Sequence, residues 1–217
     1  MQAIGLFGGT FDPIHFGHLR LAQELGESLG LSEVRFIPAA RPPHRSEPHT
    51  PAKHRVKMAR LAIADNSLFT LDAREIERAG PSYTFDTLTS LRAELGAKIP
   101  FYLLLGADAF LGLPSWHRWR ELFGLAHIAV AYRPGFTLDA GSPLMAPELR
   151  AEWQQRYCAD PSSGAYGTIL SREITALDIS ASAIREQLAL GGSPRYLLPD
   201  SVLGYIHQHK LYTSGIA

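Results

Sequence analysis

The sequence predicts an α/β fold: a Rossmann-like parallel sheet with helices on both faces and a small C-terminal helical lobe. Short apolar runs alternate with stretches of helical period through roughly the first 130 residues, which is typical of a parallel sheet with crossover helices. The first run passes through paired glycines directly into an amphipathic stretch. A chain of 217 residues buries about 70% of its unfolded surface, enough for a core without disulfides or a structural metal. We expect one domain over residues 1–217, with the sheet core in 1–178 and the helical lobe in 179–217.

The first four elements follow from apolar patterns and their breaks. The run Gln2–Gly8 is a candidate buried strand that ends in a glycine turn. Apolar residues over 21–29 then fall at helical spacing, and Gly30 ends that pattern. Val34–Pro38 is the second predicted strand, and a proline opens the second predicted helix, Pro51–Asn66.

The later elements repeat this alternation. We predict strands at Phe69–Leu71, Phe101–Leu105, Ile128–Ala131 and Ile169–Leu177, and helices at Thr84–Leu95, Trp116–Phe123, Ser180–Leu190 and Asp200–His209. Residues 134–167 are rich in Gly, Pro and Ser around one amphipathic stretch, Pro147–Tyr157, and we interpret them as a peripheral insertion without evident chemistry. Right-handed crossovers bring the carboxyl ends of parallel strands to one edge, where ligands bind.

Composition excludes several classes of protein. The 21 basic and 21 acidic residues balance, which disfavours a general nucleic-acid binder. With 46% hydrophobic residues, disorder is also disfavoured. The single cysteine, Cys158, allows no intramolecular disulfide or cysteine-based zinc cluster and favours a reducing compartment, so we expect a cytoplasmic protein. With no basic leader and no apolar stretch of about 20 residues, we expect neither secretion nor a membrane partner.

The densest chemical signal is the run GGTFDPIHFGH over residues 8–18, between the first strand and the first helix. Paired glycines allow backbone N–H groups to approach a phosphate, and the following helix N-terminus adds partial positive charge. The run has neither the GxGxxG order of a dinucleotide fingerprint nor the Lys-Ser/Thr of a P-loop. His15 and His18 could both donate N–H bonds into one crevice; the alternatives are a core histidine beside a turn residue and, more weakly, a metal pair lacking a third ligand.

These residues resemble the signature of the HxGH nucleotidyltransferases, and within them the bacterial nicotinate-mononucleotide adenylyltransferases. Further segments match in order along nearly the whole chain: PPH at 42–44, SYTFDT at 82–87, GAD at 106–108 with LPSW at 113–116, ISASAIR at 179–185 and YLLPDS at 196–201. The resemblance implies transfer of the adenylyl group of ATP to nicotinate mononucleotide, giving nicotinate adenine dinucleotide and pyrophosphate in NAD biosynthesis. The attacking phosphate is already anionic, so the site needs alignment and charge stabilisation rather than a general base.

The resemblance also implies roles for individual residues. It implies catalytic roles for His15, His18 and Arg185. It implies contacts with ATP from Gly8, Gly9, Thr10, Phe11, His15, His18, Gly106, Asp108, Ile179, Ser180 and Arg185. It implies contacts with the acceptor from His44, Arg45, Tyr83, Thr84 and Trp116. It implies Mg²⁺ carried by the triphosphate, with no dedicated protein cage.

The sequence departs from the family pattern at two places. Arg45 stands where the family usually has lysine, and Ala181 stands within a segment that usually reads Ser-Ser-Thr, which puts a side-chain contact at position 181 in doubt. Charge is retained at position 45 while its geometry changes.

Plain structural roles compete with these functional ones. Ser180 would serve as a helix N-cap, and Asp108 as a cap in a turn. Trp116 would pack in the core, leaving Trp119 as the competing stacking residue. Thr84 is a candidate N-cap, and free N–H groups at that helix end would favour a carboxylate, hence nicotinate over nicotinamide.

Four other functions remain open at this point. Within the same superfamily, the chain could be a pantetheine-phosphate adenylyltransferase or a cytidylyltransferase, which would share the first motif but are not expected to carry the SYTFDT and Trp116 matches. From other classes, it could be a nucleotide-binding module without turnover or an NAD-dependent dehydrogenase. The spacing of the first turn disfavours the dehydrogenase.

Overall fold

A computed structural model of the chain describes residues 2–41, 48–136, 138–160, 164–175 and 177–213. Six parallel strands form one sheet in the order β3-β2-β1-β4-β5-β6. Their bounds are β1 Ile4–Gly9, β2 Glu33–Pro38, β3 Phe69–Leu71, β4 Phe101–Gly106, β5 His127–Tyr132 and β6 Ile169–Glu173. The order reverses between β1 and β4, so a crevice opens there beyond the carboxyl ends of the strands.

The helices lie on both faces of this sheet, as the sequence predicts. They are α1 Phe16–Ser28, α2 Ala52–Ile63, α3 Arg74–Glu77, α4 Thr84–Leu95, α5 Ala107–Leu111, α6 Pro147–Arg156, α7 Ala181–Ala189 and α8 Asp200–Gln208, with 3-10 helices at Leu113–Ser115 and Trp119–Gly124. In the described residues, no helix has the length and apolar character needed to cross a bilayer.

Two apolar clusters cover the two faces of the sheet. The first packs α1, α2, α7 and α8 against one face, with Leu25, Met58 and Ile184 fully buried. The second packs α4, α5 and α6 against the other, with Leu91 and Phe110 fully buried. Because both faces are covered, the strands are apolar nearly throughout, which explains why they lack an alternating pattern.

Some predicted elements differ from the structure. The α-helix predicted over Trp116–Phe123 is wrong: Trp116 follows one 3-10 helix, and a second begins only at Trp119, because Arg118 adopts the left-handed φ of 56°. The last strand ends at Glu173 rather than Leu177. The short helices α3 and α5 have too few residues to display a helical period.

The segment 134–167 is more than a peripheral insertion. Its helix α6 ends at Arg156, close to the predicted bounds. Leu149 and Trp153 are buried in the second apolar cluster. The segment therefore adds to the core as well as to the surface.

Candidate active site

A crevice of about 1210 Å³ lies along the carboxyl ends of β1, β4 and β5. The predicted site residues that the structure describes all line it: Gly8, Gly9, Thr10, Phe11, His15, His18, Tyr83, Thr84, Gly106, Asp108, Trp116, Ile179, Ser180 and Arg185. His44 and Arg45 lie outside the described residues. Residues from five separate sequence segments thus meet at one place.

The loop after β1 forms one wall of the crevice, the phosphate loop, which we define as residues 8–13. A Cβ on Gly9 would lie 2.7 Å from the Phe11 ring, so only glycine fits there. Phe11 itself has a left-handed φ of 50° and is held by packing, since its ring is 1% exposed and lies 5.8 Å from the Phe36 centroid. The aromatic side chain faces inward, which leaves the glycine backbone to line the crevice.

His15 and His18 stand together at the beginning of α1. Their rings stack with centroids 3.7 Å apart. The backbone N–H of His15 donates to Nδ1 of His18 at 3.3 Å, so a neutral His18 ring carries its hydrogen on Nε2. His15 is 6% exposed, and its side chain faces the backbone N–H of His18 in the capping box at the beginning of α1. With one ring nitrogen facing this donor, a neutral His15 ring carries its hydrogen on the other, Nε2.

Burial lowers the pKa of His15 to about 4, so this ring is neutral at pH 7. In the unfolded chain the pKa of His15 is near its ordinary value of 6.5, so between pH 6.5 and 4 the unfolded chain binds a proton that the folded protein does not bind. The contribution of His15 to the free energy of unfolding is fully present above about pH 6.5 and is lost as the pH falls toward 4. The loss amounts to about 3 kcal/mol.

We therefore expect His15→Gln to flatten the dependence of stability on pH. Urea unfolding of both proteins at pH 7 and pH 4.5 measures this, and the native protein should lose more of its unfolding free energy between the two values. Equal losses would show that His15 is not held neutral. His207→Gln, an exposed site on α8, is the matched control.

Arg185 approaches the phosphate loop from α7. Its Nη1 donates to the carbonyl oxygen of Asp12 at 2.7 Å, and its Nη2 donates to Ser182 Oγ at 3.1 Å. Helix α7 is fixed by buried Ile184 and by Ser180, whose Oγ accepts from the N–H of Ala183 at 3.5 Å. Ser180 is thus an N-cap as well as a crevice residue. The guanidinium spans from α7 to the loop after β1.

The opposite end of the crevice is aromatic. The Tyr83 and His117 rings lie 4.3 Å apart, and half-buried Trp116 lines the crevice beside them. Trp119 is 7% exposed and belongs to the second apolar cluster, so it does not compete for a ligand. The N-cap of α4 is Tyr83 and not Thr84, which is the first helical residue; no side chain caps this end. The first N–H groups of α4 therefore remain available.

Glu75 and Ser82 also line the crevice, although neither was among the predicted site residues; Ser82 opens the SYTFDT segment, whereas no motif marked Glu75. Glu75 is 7% exposed and accepts a hydrogen bond from Thr87 Oγ1 at 2.7 Å; burial raises the pKa of its carboxyl. Ser82 Oγ accepts the N–H groups of Ala40 and Arg41, which ties the chain after β2 to the start of α4. Glu75 lies in α3, which has only four residues, so no helical period in the sequence could indicate its position.

The acidic, histidine and cysteine side chains of the protein show whether a metal ion could be held. Within the described ranges, no three His, Cys, Asp or Glu side chains are grouped to hold a metal ion. Asp108 is the second residue of α5, whose N-cap is Gly106. These residues do not form a cage for a resident metal.

Comparisons with known proteins identify the class to which this fold and crevice belong, the nucleotidyltransferases. The chain belongs to the cytidylyltransferase-like family, whose model matches residues 6–187. A relative from Dechloromonas aromatica, named probable nicotinate-nucleotide adenylyltransferase, is 52% identical over 99% of both chains. One from Methylococcus capsulatus with the same name is 47% identical over 96% of this chain and 99% of its own. Within the family, the chain groups with these nicotinate-nucleotide adenylyltransferases.

Solved structures support the fold. The nicotinic acid mononucleotide adenylyltransferase of Plasmodium falciparum, solved in complex with NaAD, superposes with a TM-score of 0.73 over 98% of each chain. Its sequence identity is 20%, so the likeness concerns the fold.

Proposed function

We propose that the chain transfers the adenylyl group of magnesium-bound ATP to nicotinate mononucleotide, producing nicotinate adenine dinucleotide and pyrophosphate for NAD biosynthesis. The observation that carries this is the division of one crevice: two histidines, the phosphate loop and Arg185 at one end, and an aromatic wall beside an uncapped helix N-terminus at the other. The first end suits a polyphosphate and the second a planar acid. The single unpaired cysteine supports the cytoplasm as the place of reaction.

In the proposed reaction, a phosphate oxygen of the mononucleotide attacks the α-phosphorus of ATP. A new P–O bond forms as the bond to the β-phosphate oxygen breaks, and pyrophosphate leaves with the electron pair. No proton has to be removed from the nucleophile, so the histidines act as N–H donors and not as bases. Mg²⁺ enters as part of the substrate and neutralises charge on the triphosphate.

His18 offers Nε2–H as a donor to the phosphates, because its Nδ1 accepts from the His15 backbone. His15 is neutral, and its ring N–H can donate one further hydrogen bond from a buried position. Arg185 supplies the positive charge, with its guanidinium oriented by the Asp12 carbonyl. We assign the nucleotide sugar to Gly106, at the end of β4, and Asp108, in the first turn of α5.

The acceptor end favours an acid over an amide. The free N–H groups at the start of α4 donate to an anion, and the helix dipole adds to the attraction. A nicotinamide ring would place its NH₂ group against donors and leave one of them unpaired.

The deciding measurement is pyrophosphate release with ATP and one acceptor at a time. We expect the highest kcat/KM with nicotinate mononucleotide, a lower value with nicotinamide mononucleotide and none with phosphopantetheine. Activity with phosphopantetheine alone would refute the proposal. ATP binding without release of pyrophosphate from any acceptor would identify a binding module instead.

Trp116→Ala should raise the KM for the mononucleotide about tenfold and change kcat little, because the indole face stacks on the pyridinium ring. Trp116→Phe keeps an aromatic face and should recover most of the affinity. An unchanged KM in the alanine variant would remove Trp116 from the acceptor site.

A further inference from the structure

We propose that Tyr212 and Asp12 are positioning residues that fix the direction of the Arg185 guanidinium across the crevice. The inference rests on the proposed function, because it assigns a task to Arg185 in that reaction. Neither Tyr212 nor Asp12 was a candidate from the sequence. Their contacts link the C-terminal segment to the phosphate loop.

Asp12 is held at three atoms. It is 4% exposed. One carboxylate oxygen accepts a hydrogen bond from the Tyr212 hydroxyl at 2.6 Å, and the other accepts one from the backbone N–H of His49 at 2.8 Å. The backbone carbonyl oxygen of Asp12 accepts a hydrogen bond from Nη1 of Arg185 at 2.7 Å. The carboxylate contacts fix the Cα and Cβ of Asp12, and the carbonyl that accepts from Arg185 is attached to the same Cα, so the side chain of Asp12 restricts the movement of its own backbone acceptor.

The backbone after α8 adopts left-handed conformations that bring the Tyr212 hydroxyl to the Asp12 carboxylate. Lys210 and Tyr212 have left-handed φ values of 50° and 62°. Left-handed backbone is unfavourable for side chains other than glycine, and it persists where surrounding contacts compensate. The N–H of Leu211 donates to the carbonyl of Ile206 at 3.0 Å, and Leu211 and Tyr212 pack on the first apolar cluster. Burial raises the pKa of Tyr212, so the phenol remains a donor at assay pH.

The phosphate loop has a second, independent support. Arg55 is 1% exposed and donates to the carbonyl oxygens of Thr10 at 2.7 Å, Ala39 at 2.6 Å and Thr50 at 3.1 Å. These bonds hold the backbone around Asp12 without using Tyr212. Loss of the Tyr212 hydroxyl should therefore loosen the Asp12 carboxylate and Arg185 while the loop and the fold persist.

The test is Tyr212→Phe in the full chain, assayed by pyrophosphate release from ATP with nicotinate mononucleotide. We expect kcat to fall about tenfold, the fold-change for a lost hydrogen bond to a charged group, with the KM for the mononucleotide unchanged. Tyr205→Phe is the matched control, because its hydroxyl bonds to His54 Nδ1 at 2.8 Å on α2, away from the crevice. That variant should keep the native kcat.

A double-variant comparison separates positioning from general loosening. In an Arg185→Ala background, Tyr212→Phe should lower kcat no further, because the group on which it acts is gone. A full additional tenfold loss would overturn the proposal. Asp12→Asn presents only one acceptor oxygen to its two donors and should match or exceed the Tyr212→Phe loss; native activity in a folded Asp12→Asn protein would likewise overturn it.

The outcomes distinguish this inference from the proposed function. A native protein that releases no pyrophosphate with any acceptor refutes the function itself. An active native protein whose Tyr212→Phe variant has an equal kcat refutes the positioning role alone.

Discussion

His18→Ala is expected to lower kcat by about 10²- to 10³-fold, the loss typical of removing one donor that stabilises charge in a transition state. The hydrogen bond from the His15 N–H to Nδ1 fixes the ring so that Nε2–H is the donor. That donor is lost entirely with alanine. The KM for the mononucleotide should change little, because the aromatic end of the crevice is untouched.

The fold should survive this change. His18 is half-buried, and its ring lies 5.2 Å from Phe11 and 6.2 Å from Phe7, so its removal costs some packing. Alanine is the better helix former in the first turn of α1 and offsets part of this loss. Thermal unfolding and single-turnover kinetics on the same preparation measure both effects. His207→Ala, at an exposed site, is the matched control.

Two further outcomes bear on the role of His18. If the alanine variant unfolds while its folded fraction keeps the native specific activity, His18 is a core residue. His18→Gln keeps an N–H donor on a side chain of different reach and should recover a part of the lost rate. Recovery would identify the donated hydrogen bond, and not the ring, as the active element.

Arg185→Ala is expected to lower kcat about 10²-fold and to raise the KM for ATP, because it removes the cation that faces the phosphates. Arg185→Lys keeps the charge but cannot bond to the Asp12 carbonyl and Ser182 Oγ with a planar fork. We expect the lysine variant to lie between alanine and the native protein.

The matched control for Arg185 is Arg195→Ala. Arg195 is 58% exposed and pairs with Asp200 at the surface, so its removal should leave kcat and KM unchanged. Steady-state kinetics over a range of ATP concentrations measure all three variants. A native KM for ATP and a native kcat in Arg185→Ala would exclude Arg185 from the site.

The sequence predicts most of the sheet because apolar runs between glycines and prolines leave few alternatives. Helix α4 begins and ends as predicted, at Thr84 and Leu95, and β3 matches as well. The error over Trp116–Phe123 has a local cause, the left-handed Arg118, which no apolar period reveals. Elements with a clear period or a clear break are therefore predictable, and strained backbone is not.

The candidate site also has a part that the sequence predicts and a part that it does not. The glycines and histidines of residues 8–18 are visible because they are close in sequence. Asp12 and Tyr212 are 200 positions apart, and their hydrogen bond exists only after α8 has packed. Arg55 would pass for a surface cation on an amphipathic helix, yet it is 1% exposed. Contacts between backbone carbonyls and a distant side chain leave no pattern in the order of residues.

The two apolar clusters on opposite faces of the sheet have a consequence for how specificity is built. Helices α1 and α7 carry residues of the proposed polyphosphate end of the crevice, and they pack on the first cluster. Helices α4 and α5 border the proposed acceptor end and pack on the second. A substitution beneath α4 reaches the polyphosphate end of the crevice through the strands between them. A second route runs through Ala40, whose N–H donates to Ser82 Oγ and whose carbonyl oxygen accepts from Arg55. Donor and acceptor recognition thus rest on separate apolar clusters, so a core substitution under one half of the crevice should alter recognition mainly at that half. A change at Ser82 should affect both halves, because its hydrogen bonds join them.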